Sequence, residues 1–285
     1  MKYTHDLAVA YRIYPSVSKP AMGLPFSDDK YQLSEVCLRS FKESLGPVRA
    51  KVWAILDGCP GDYARLFQKY FDDHDLTLVP CNSIGNHATF SKQIDILLQQ
   101  DSAPVVQFAE DDYFYLPNQF SAMLSFLTQH PDDFISPYDH LDCYTLPIHE
   151  GPKFVQVCDS HHWRTAYSTC LTFLCRQETL ARYEKVFRSY SRGNFDCSLW
   201  LSITKQRVRN PFAFAEFALR HQFFSRVLIK SWVYGWQQIL LGRKARLWTP
   251  VPAIATHLNK QALSPTIDWA RLMIESCQSH STVAS

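Results

Sequence analysis

Apolar positions along this chain follow two periods that alternate. Asp6–Tyr14 (DLAVAYRIY) is a short apolar run and predicts a strand. A loop follows, marked by Pro15, Pro20, Gly23 and Pro25. From Tyr31 to Leu45 apolar residues recur at Leu33, Val36, Cys37, Leu38, Phe41 and Leu45, the spacing of a helix, which Gly46-Pro47 stops. Ala50–Leu56 predicts a second strand and Gly61–Phe71 a helix. Leu76–Pro80 predicts a third strand, followed by a helix from about Ala88 to Gln99 and a fourth strand at Val105–Ala109. The order βαβαβαβ implies an α/β fold, a parallel sheet with helices on both faces.

Beyond Pro117 the pattern is less regular. A helix is predicted from about Asn118 to His130, then strand-like segments at Phe154–Val157 and Ala166–Leu174. Gln177–Tyr190 reads as helix, Cys197–Ile203 as an apolar run, and Phe212–Leu241 as an aromatic helix. Pro250–His257 is strand-like, and a short helix ends the chain. There is no internal repeat and no low-complexity tract.

The chain has 285 residues, 46% apolar and 14% aromatic, ample for a real core and far from a disordered composition. The amino terminus lacks the pattern of a secretory signal, and no stretch has the uninterrupted apolar length of a membrane span. Nine scattered cysteines without C-x-x-C spacing argue against a disulfide framework or a zinc site, so a reducing cytoplasm is the expected location. The net charge of +2 is unevenly spread: Trp200–Leu247 carries nine Lys/Arg against the single Glu216, a surplus of +8 that leaves −6 for the rest. Such asymmetry suggests that one lobe meets something anionic. Arg226 and Lys230 would share one helical face, with Phe223, Val227 and Trp232 supplying apolar contact, as on an anionic membrane surface to which the protein is peripheral. A packed helix with solvated charges fits the same residues.

Candidate chemistry centres on Pro104–Pro117 (PVVQFAEDDYFYLP). A buried strand here ends in three consecutive carboxylates, Glu110, Asp111 and Asp112. A solvated turn or helix cap would also use such residues. Their place straight after a buried strand favours a site, because ligands of open α/β sheets sit beyond the carboxyl ends of the strands. Three adjacent acids repel unless something positive lies among them, and a hard divalent cation that shares itself with substrate phosphates is the obvious candidate. The other predicted strand ends bring Tyr11 and Arg12, Asp57, and Asn82 and Asn86 to the same crevice. No G-x-G-x-x-G or G-x-x-x-x-G-K-[ST] motif is present, which leaves a nucleotide whose phosphates are held by metal.

With Asp57 at one strand end and FAEDDYFYLP at another, the chain resembles the GT-A glycosyltransferases, broadly of the family 2 type. The resemblance covers roughly residues 1–200, with PAIATHLNKQALSPTIDW as a further matching segment. The acidic motif of that family is usually D-x-D, and here Glu110 stands in its first place. The resemblance implies a GT-A (Rossmann-like), mostly parallel sheet flanked by helices, with a helical basic C-terminal lobe. Residues 1–203 would carry the donor and acceptor regions and 204–285 the basic lobe and a metal-site segment, as one continuous domain. It implies transfer of a hexose from a nucleoside-diphosphate sugar to a hydroxyl of a glycan or lipid-linked acceptor, as in polysaccharide biosynthesis, with inversion. Nucleic acid is not among the expected partners. Glu110, Asp112 and His257 would hold Mn²⁺ or Mg²⁺, an imidazole ligand favouring Mn²⁺. Tyr11, Arg12, Asp57, Asn82, Asn86, Glu110 and Asp111 would bind the donor. Asp196 would be the catalytic base, with Asp139 as the runner-up. His162, Trp163 and Arg164 would line the acceptor side, Trp163 as a sugar-stacking platform. A non-catalytic nucleotide- or carbohydrate-binding protein on the same fold is the alternative. A nucleotidyltransferase ranks below both, since the loop YPSVSKPAMGLP has one glycine and one lysine.

Overall fold

The computed structural model describes residues 3–281. The first half runs β1 (Leu7–Ile13), α1 (Lys30–Leu45), β2 (Ala50–Asp57), α2 (Gly61–Tyr70), β3 (Leu76–Cys81), α3 (Gly85–Gln99) and β4 (Val105–Glu110). Then come β5 (Tyr113–Tyr115), α4 (Phe120–Gln129), β6 (Phe134–Ile135), α5 (Asp142–Thr145), β7 (Val155–Cys158), β8 (His161–Ala166) and β9 (Phe173–Arg176). The chain closes with α6 (Gln177–Phe187), α7 (Asp196–Thr204), α8 (Pro211–Arg220), α9 (Gln222–Leu240), β10 (Leu247–Val251), β11 (Ala255–His257) and α10 (Trp269–Ser281).

Nine strands form one sheet in the order β3-β2-β1-β4-β9-β6-β10-β8-β7, and β5 pairs with β11 in a separate ribbon. In the large sheet β9 and β8 run against their neighbours and the other seven strands share one direction. This is a mixed, mostly parallel, Rossmann-like α/β architecture. The four strands of the βαβαβαβ unit are adjacent and parallel, as the periodicity predicts. The order along the chain reverses at β1, because β2 and β3 lie on one side of it and β4 on the other. Such a reversal opens a crevice beyond the carboxyl ends of β1 and β4.

Several predicted elements differ in the structure. Tyr113–Tyr115, given no element by the periodicity, is a strand because the distant Ala255–His257 pairs with it. The predicted strand Ala166–Leu174 is mostly an irregular link: Ala166 ends β8, Phe173 opens β9, and residues 167–172 carry the chain between two strands with different neighbours. The predicted aromatic helix breaks at His221 into α8 and α9, with Asn210 capping α8 through the amides of Phe212 and Ala213. Strand β10 lies inside the sheet between β6 and β8 although it follows the basic segment in sequence.

Alternation along the central strands divides the core. Leu7, Val9, Tyr11 and Ile13 of β1 face α1, α2 and α4, whereas Ala8 and Ala10 face the layer that includes α3, α6 and α7. In the second layer Phe108, Phe173 and Phe187 stack, and Trp200 meets Phe134 edge-on with centroids 5.3 Å apart. Buried Gln93 of α3 donates to the carbonyls of Ala10 (2.7 Å) and Ala109 (3.1 Å), tying that helix to both strands at the reversal.

One core group is tuned against acid. His149 is buried in a turn after α5, and its Nδ1 has no hydrogen-bond partner. Burial, reinforced by His140, Lys153, Arg164 and Arg207, pushes its imidazole down to about 3 from the ordinary 6.5. The unfolded chain takes up this proton near 6.5, and the folded chain refuses it until about 3. Stability therefore falls as pH drops through that window, with this residue contributing up to about 1.4 kcal/mol per pH unit. We expect His149→Gln to flatten the acid limb of urea-unfolding stability by about one proton's slope while leaving the neutral-pH fold intact; an unchanged limb would show that His149 is protonated in the native state.

Candidate active site

A cleft of about 500 Å³ lies at the reversal between β1 and β4. Its walls come from the end of β1 (Arg12–Tyr14), the following loop (Ser16–Ala21), Lys30 of α1, the start of α3 (Gly85–Thr89) and Glu110–Asp112. The size suits a nucleotide or drug-sized ligand.

Each of the three consecutive acids has its own cation. Arg12 and Glu110 stand opposite in the β1–β4 register, and their side chains form a short ion pair. The other Glu110 oxygen accepts from Thr172 Oγ1 at 2.8 Å. Arg12 also donates to the backbone and side-chain oxygens of Asn86. Lys30 Nζ meets Asp111 Oδ2 at 2.5 Å, with the two side chains only 11% and 14% exposed. His257 Nε2 lies 3.1 Å from Asp112 Oδ2. Burial and the neighbouring Asp112 hold the Asp111 carboxyl above its usual range despite Lys30. For Asp112, burial pushes up, but His257 outweighs it and holds the carboxyl below that range. Burial alone would lower the His257 imidazole; Asp112 together with Glu110 and Asp196 raises it to about 9.

Arg12, Lys30 and His257 thus supply positive charge among the acids from the protein itself. Glu110, expected as a metal ligand, has both oxygens taken by Arg12 and Thr172. Asp112 differs: its Oδ1 is buried in the cleft wall with no partner. That oxygen lies in the cleft wall beside His257, whose Nε2 is engaged with Asp112 Oδ2 and would become a nitrogen donor to a divalent ion only on losing its proton. Among the described residues, the three ligand atoms within 4.8 Å of one another belong to His5, His74 and Asp75, at the amino ends of β1 and β3 and away from the cleft.

The other predicted residues separate. Asp57 lines the cleft, but its two oxygens accept from the amides of Ile84 (2.7 Å) and Gly85 (2.8 Å), so it anchors the start of α3. Asn86 lies in the cleft and donates to Tyr190 Oη at 3.0 Å. Asn82 does not line it; it borders a separate surface hollow with Gly58–Gly61. Tyr11 is not in the cleft, because strand alternation turns it to the other face, where it packs edge-on against Phe41 and Phe67.

On the expected acceptor side, Trp163 is fully buried and stacks on Phe126 with centroids 4.3 Å apart, so it is a core residue and no sugar platform. Arg164 is buried in an ion pair with Asp139 and lies over the Tyr144 ring. His162 is exposed on β8, remote in the sheet order from β1 and β4. Asp139 is also held by Tyr144 Oη at 2.6 Å, so both its oxygens are engaged and it is unsuited to act as a base. Asp196 opens α7, and its Oδ1 accepts from the amide of Cys197 at 2.6 Å. Burial raises its carboxyl above the usual range; the Cys197 amide opposes this, and the charges of Glu110 and His257 act on it as well.

Lys30 and Thr172 are the partners that sequence reasoning missed. Thr172 carries no signal, being one threonine in a turn. Lys30 does, as a cation on the first residue of a helix, where the dipole is unfavourable and a nearby anion must compensate.

Removing Lys30 should show how far the acids rely on protein cations. We expect Lys30→Met to cost about 3–5 kcal/mol at neutral pH, the range for stranding one partner of a buried pair. Adding Asp111→Asn should recover most of the loss. Denaturant unfolding of both single variants and the double variant measures the coupling, and strict additivity would mean that the pair contributes nothing.

No protein-family model and no curated protein matches the chain. Among solved structures it is similar to S. aureus TarS at 15% identity and a TM-score of 0.39, over 63% of this chain and 30% of that one. It is also similar to S. aureus TarS 1–349, at 14% identity and a TM-score of 0.45 over 82% and 81% of the two chains. TarS 1–349 in complex with UDP is similar at 13% identity and a TM-score of 0.44, over 69% and 54%.

Proposed function

We propose that this chain is a glycosyltransferase that moves a sugar from a nucleoside-diphosphate sugar to a hydroxyl of a glycan or lipid-linked acceptor. The observation that carries this is the cleft at the sheet's topological reversal, walled by Arg12, Lys30 and the acids, with a further carboxylate, Asp196, in electrostatic reach of Glu110 and His257. Nucleotides bind at such reversals.

Arg12 and Lys30 supply positive charge beside the diphosphate, and Asn86 and Thr89 offer hydrogen bonds. Asp112 and His257 would hold a divalent ion, Mn²⁺ before Mg²⁺ because of the imidazole. When bound, such an ion neutralises charge on a leaving diphosphate. Asp196 takes the proton from the acceptor hydroxyl as its oxygen bonds to the anomeric carbon and the bond from that carbon to the diphosphate breaks. Attack from the face opposite the leaving group inverts the centre. A carboxyl raised by burial is a stronger base than an ordinary aspartate and better matched to this task.

We expect Asp196→Asn to lower turnover by about 10²-fold or more with little change in nucleotide affinity, the usual effect of removing a general base. Asp112→Ala should abolish transfer and any Mn²⁺-dependent binding of nucleoside diphosphate. A donor screen of UDP and GDP sugars, with and without Mn²⁺, and calorimetry with UDP and GDP check both. Nucleotide binding without turnover on any donor would favour a non-catalytic binding protein. Absence of nucleotide binding would remove both readings.

A further inference from the structure

The helix pair α8–α9 carries an apolar face that none of the described residues covers. On α9, Val227, Leu228, Ser231, Gly235 and Ile239 are buried. The approach to α7 is close: a Cβ on Gly235 would lie 2.4 Å from Ser202 Oγ. The opposite face should be charged on an ordinary surface helix. Instead Ile229, Val233, Trp236 and Leu240 recur at i, i+4, i+7 and i+11 and are 53%, 63%, 48% and 52% exposed. Phe223 and Leu241 at the ends of α9, off the line of the row, and Phe212 and Leu219 of α8 are exposed as well.

This face differs from the one expected from sequence. Val227 is buried, and Trp232 turns inward to donate to the Val208 carbonyl at 2.9 Å. Lys230 Nζ lies 2.5 Å from the Gly193 carbonyl and over the Phe195 ring. The cations that border the apolar row come instead from α6 and the turn after it. Lys185, Arg188 and Arg192 line a cleft with Ser91, and its other wall is Val233, Tyr234, Trp236 and Gln237. Arg188 is paired with Asp95 and Glu184. Lys185 and Arg192 make no ion pair among the described residues. Basic cleft and apolar row therefore share Val233 and Trp236.

We propose that this face docks on an anionic phospholipid bilayer. Helix α9 lies in the plane of the interface, the row Ile229–Val233–Trp236–Leu240 enters the acyl boundary, and a lipid phosphate sits between Lys185 and Arg192. Charge complementarity selects this occupant: Lys185 and Arg192, neither in an ion pair among the described residues, line the cleft that shares Val233 and Trp236 with the row. Aromatic and aliphatic residues beside a basic face are what an interfacial helix needs. No helix among the described residues is long and apolar enough to cross a membrane, so the helix lies along the interface.

Co-sedimentation with phosphatidylcholine vesicles, with and without phosphatidylserine, tests the proposal at low and high salt. The wild-type chain should bind only vesicles containing phosphatidylserine and should dissociate as salt rises. Lys185→Glu/Arg192→Glu should weaken binding at least about 30-fold, and Val233→Glu/Trp236→Glu should abolish it. Unchanged circular dichroism and unchanged nucleotide affinity in both variants would show that the fold and the cleft at β1–β4 are intact, so failure here is separate from failure of the glycosyltransferase reading. Wild-type protein that ignores phosphatidylserine vesicles at low salt overturns the proposal. A wild-type dimer that Val233→Glu/Trp236→Glu splits, with no vesicle binding, overturns it in favour of a second copy of this chain as the occupant.

Discussion

The parallel pairing of β1 with β4 is the constraint on which the rest of the molecule depends. Its register sets Arg12 opposite Glu110, and the ion pair between them closes the wall of the cleft. A slip of one residue would turn every side chain of β1 to the other face, exchanging Tyr11 for Arg12 at the cleft. Gln93 guards that register from the α3 side by bonding to carbonyls of both strands one layer before the charged residues. The topological reversal, the position of α3 and the direction in which the acids project all follow from this one pairing.

Three consecutive carboxylates at the end of a buried strand are tolerable because each meets a different cation from a different part of the chain. Arg12 comes from β1, Lys30 from α1 and His257 from β11. The arrangement leaves unequal capacities behind. Glu110 and Asp111 are structural partners of buried cations, whereas Asp112 retains an unpartnered oxygen. Asp111 is held through Oδ2 alone, by Lys30 and the Tyr14 amide, and the last of the three, Asp112, by His257. His257 reaches it only because β11 pairs with β5, the short strand immediately after the acids.

The second half of the molecule spends its apolar residues differently. In the sheet layers aromatic rings pack edge-on and stacked with no exposure, as in any well-filled core. On α9 the same residue types stand in a regular outward row beside a cleft of cations. Small residues on the buried side, Ser231 and Gly235, let α9 approach α7 closely, so the helix is held by shape on one face while the other keeps its apolar row free.

By itself, the sequence determined the βαβαβαβ unit, because alternation and helical periods are local and each crossover in that unit is short. It also determined that Arg12, Asp57 and the acids end strands, and that the acids lie at a crevice. It could not determine which way each strand-end side chain faces, so Tyr11 and Arg12 were indistinguishable until the two layers were placed. It could not reveal the partners either. Lys30 and Asp111 are about 80 residues apart, so their ion pair leaves no local pattern, and His257, 145 residues from Asp112, came to the acids only through the family resemblance. The same holds for Trp163 and Arg164, expected on the acceptor side, and for Asp139, expected as the runner-up base. Tertiary packing places Trp163 on Phe126 and locks Arg164 to Asp139. On α9, composition showed basic and aromatic residues, but only packing against α7 decided which of them face outward.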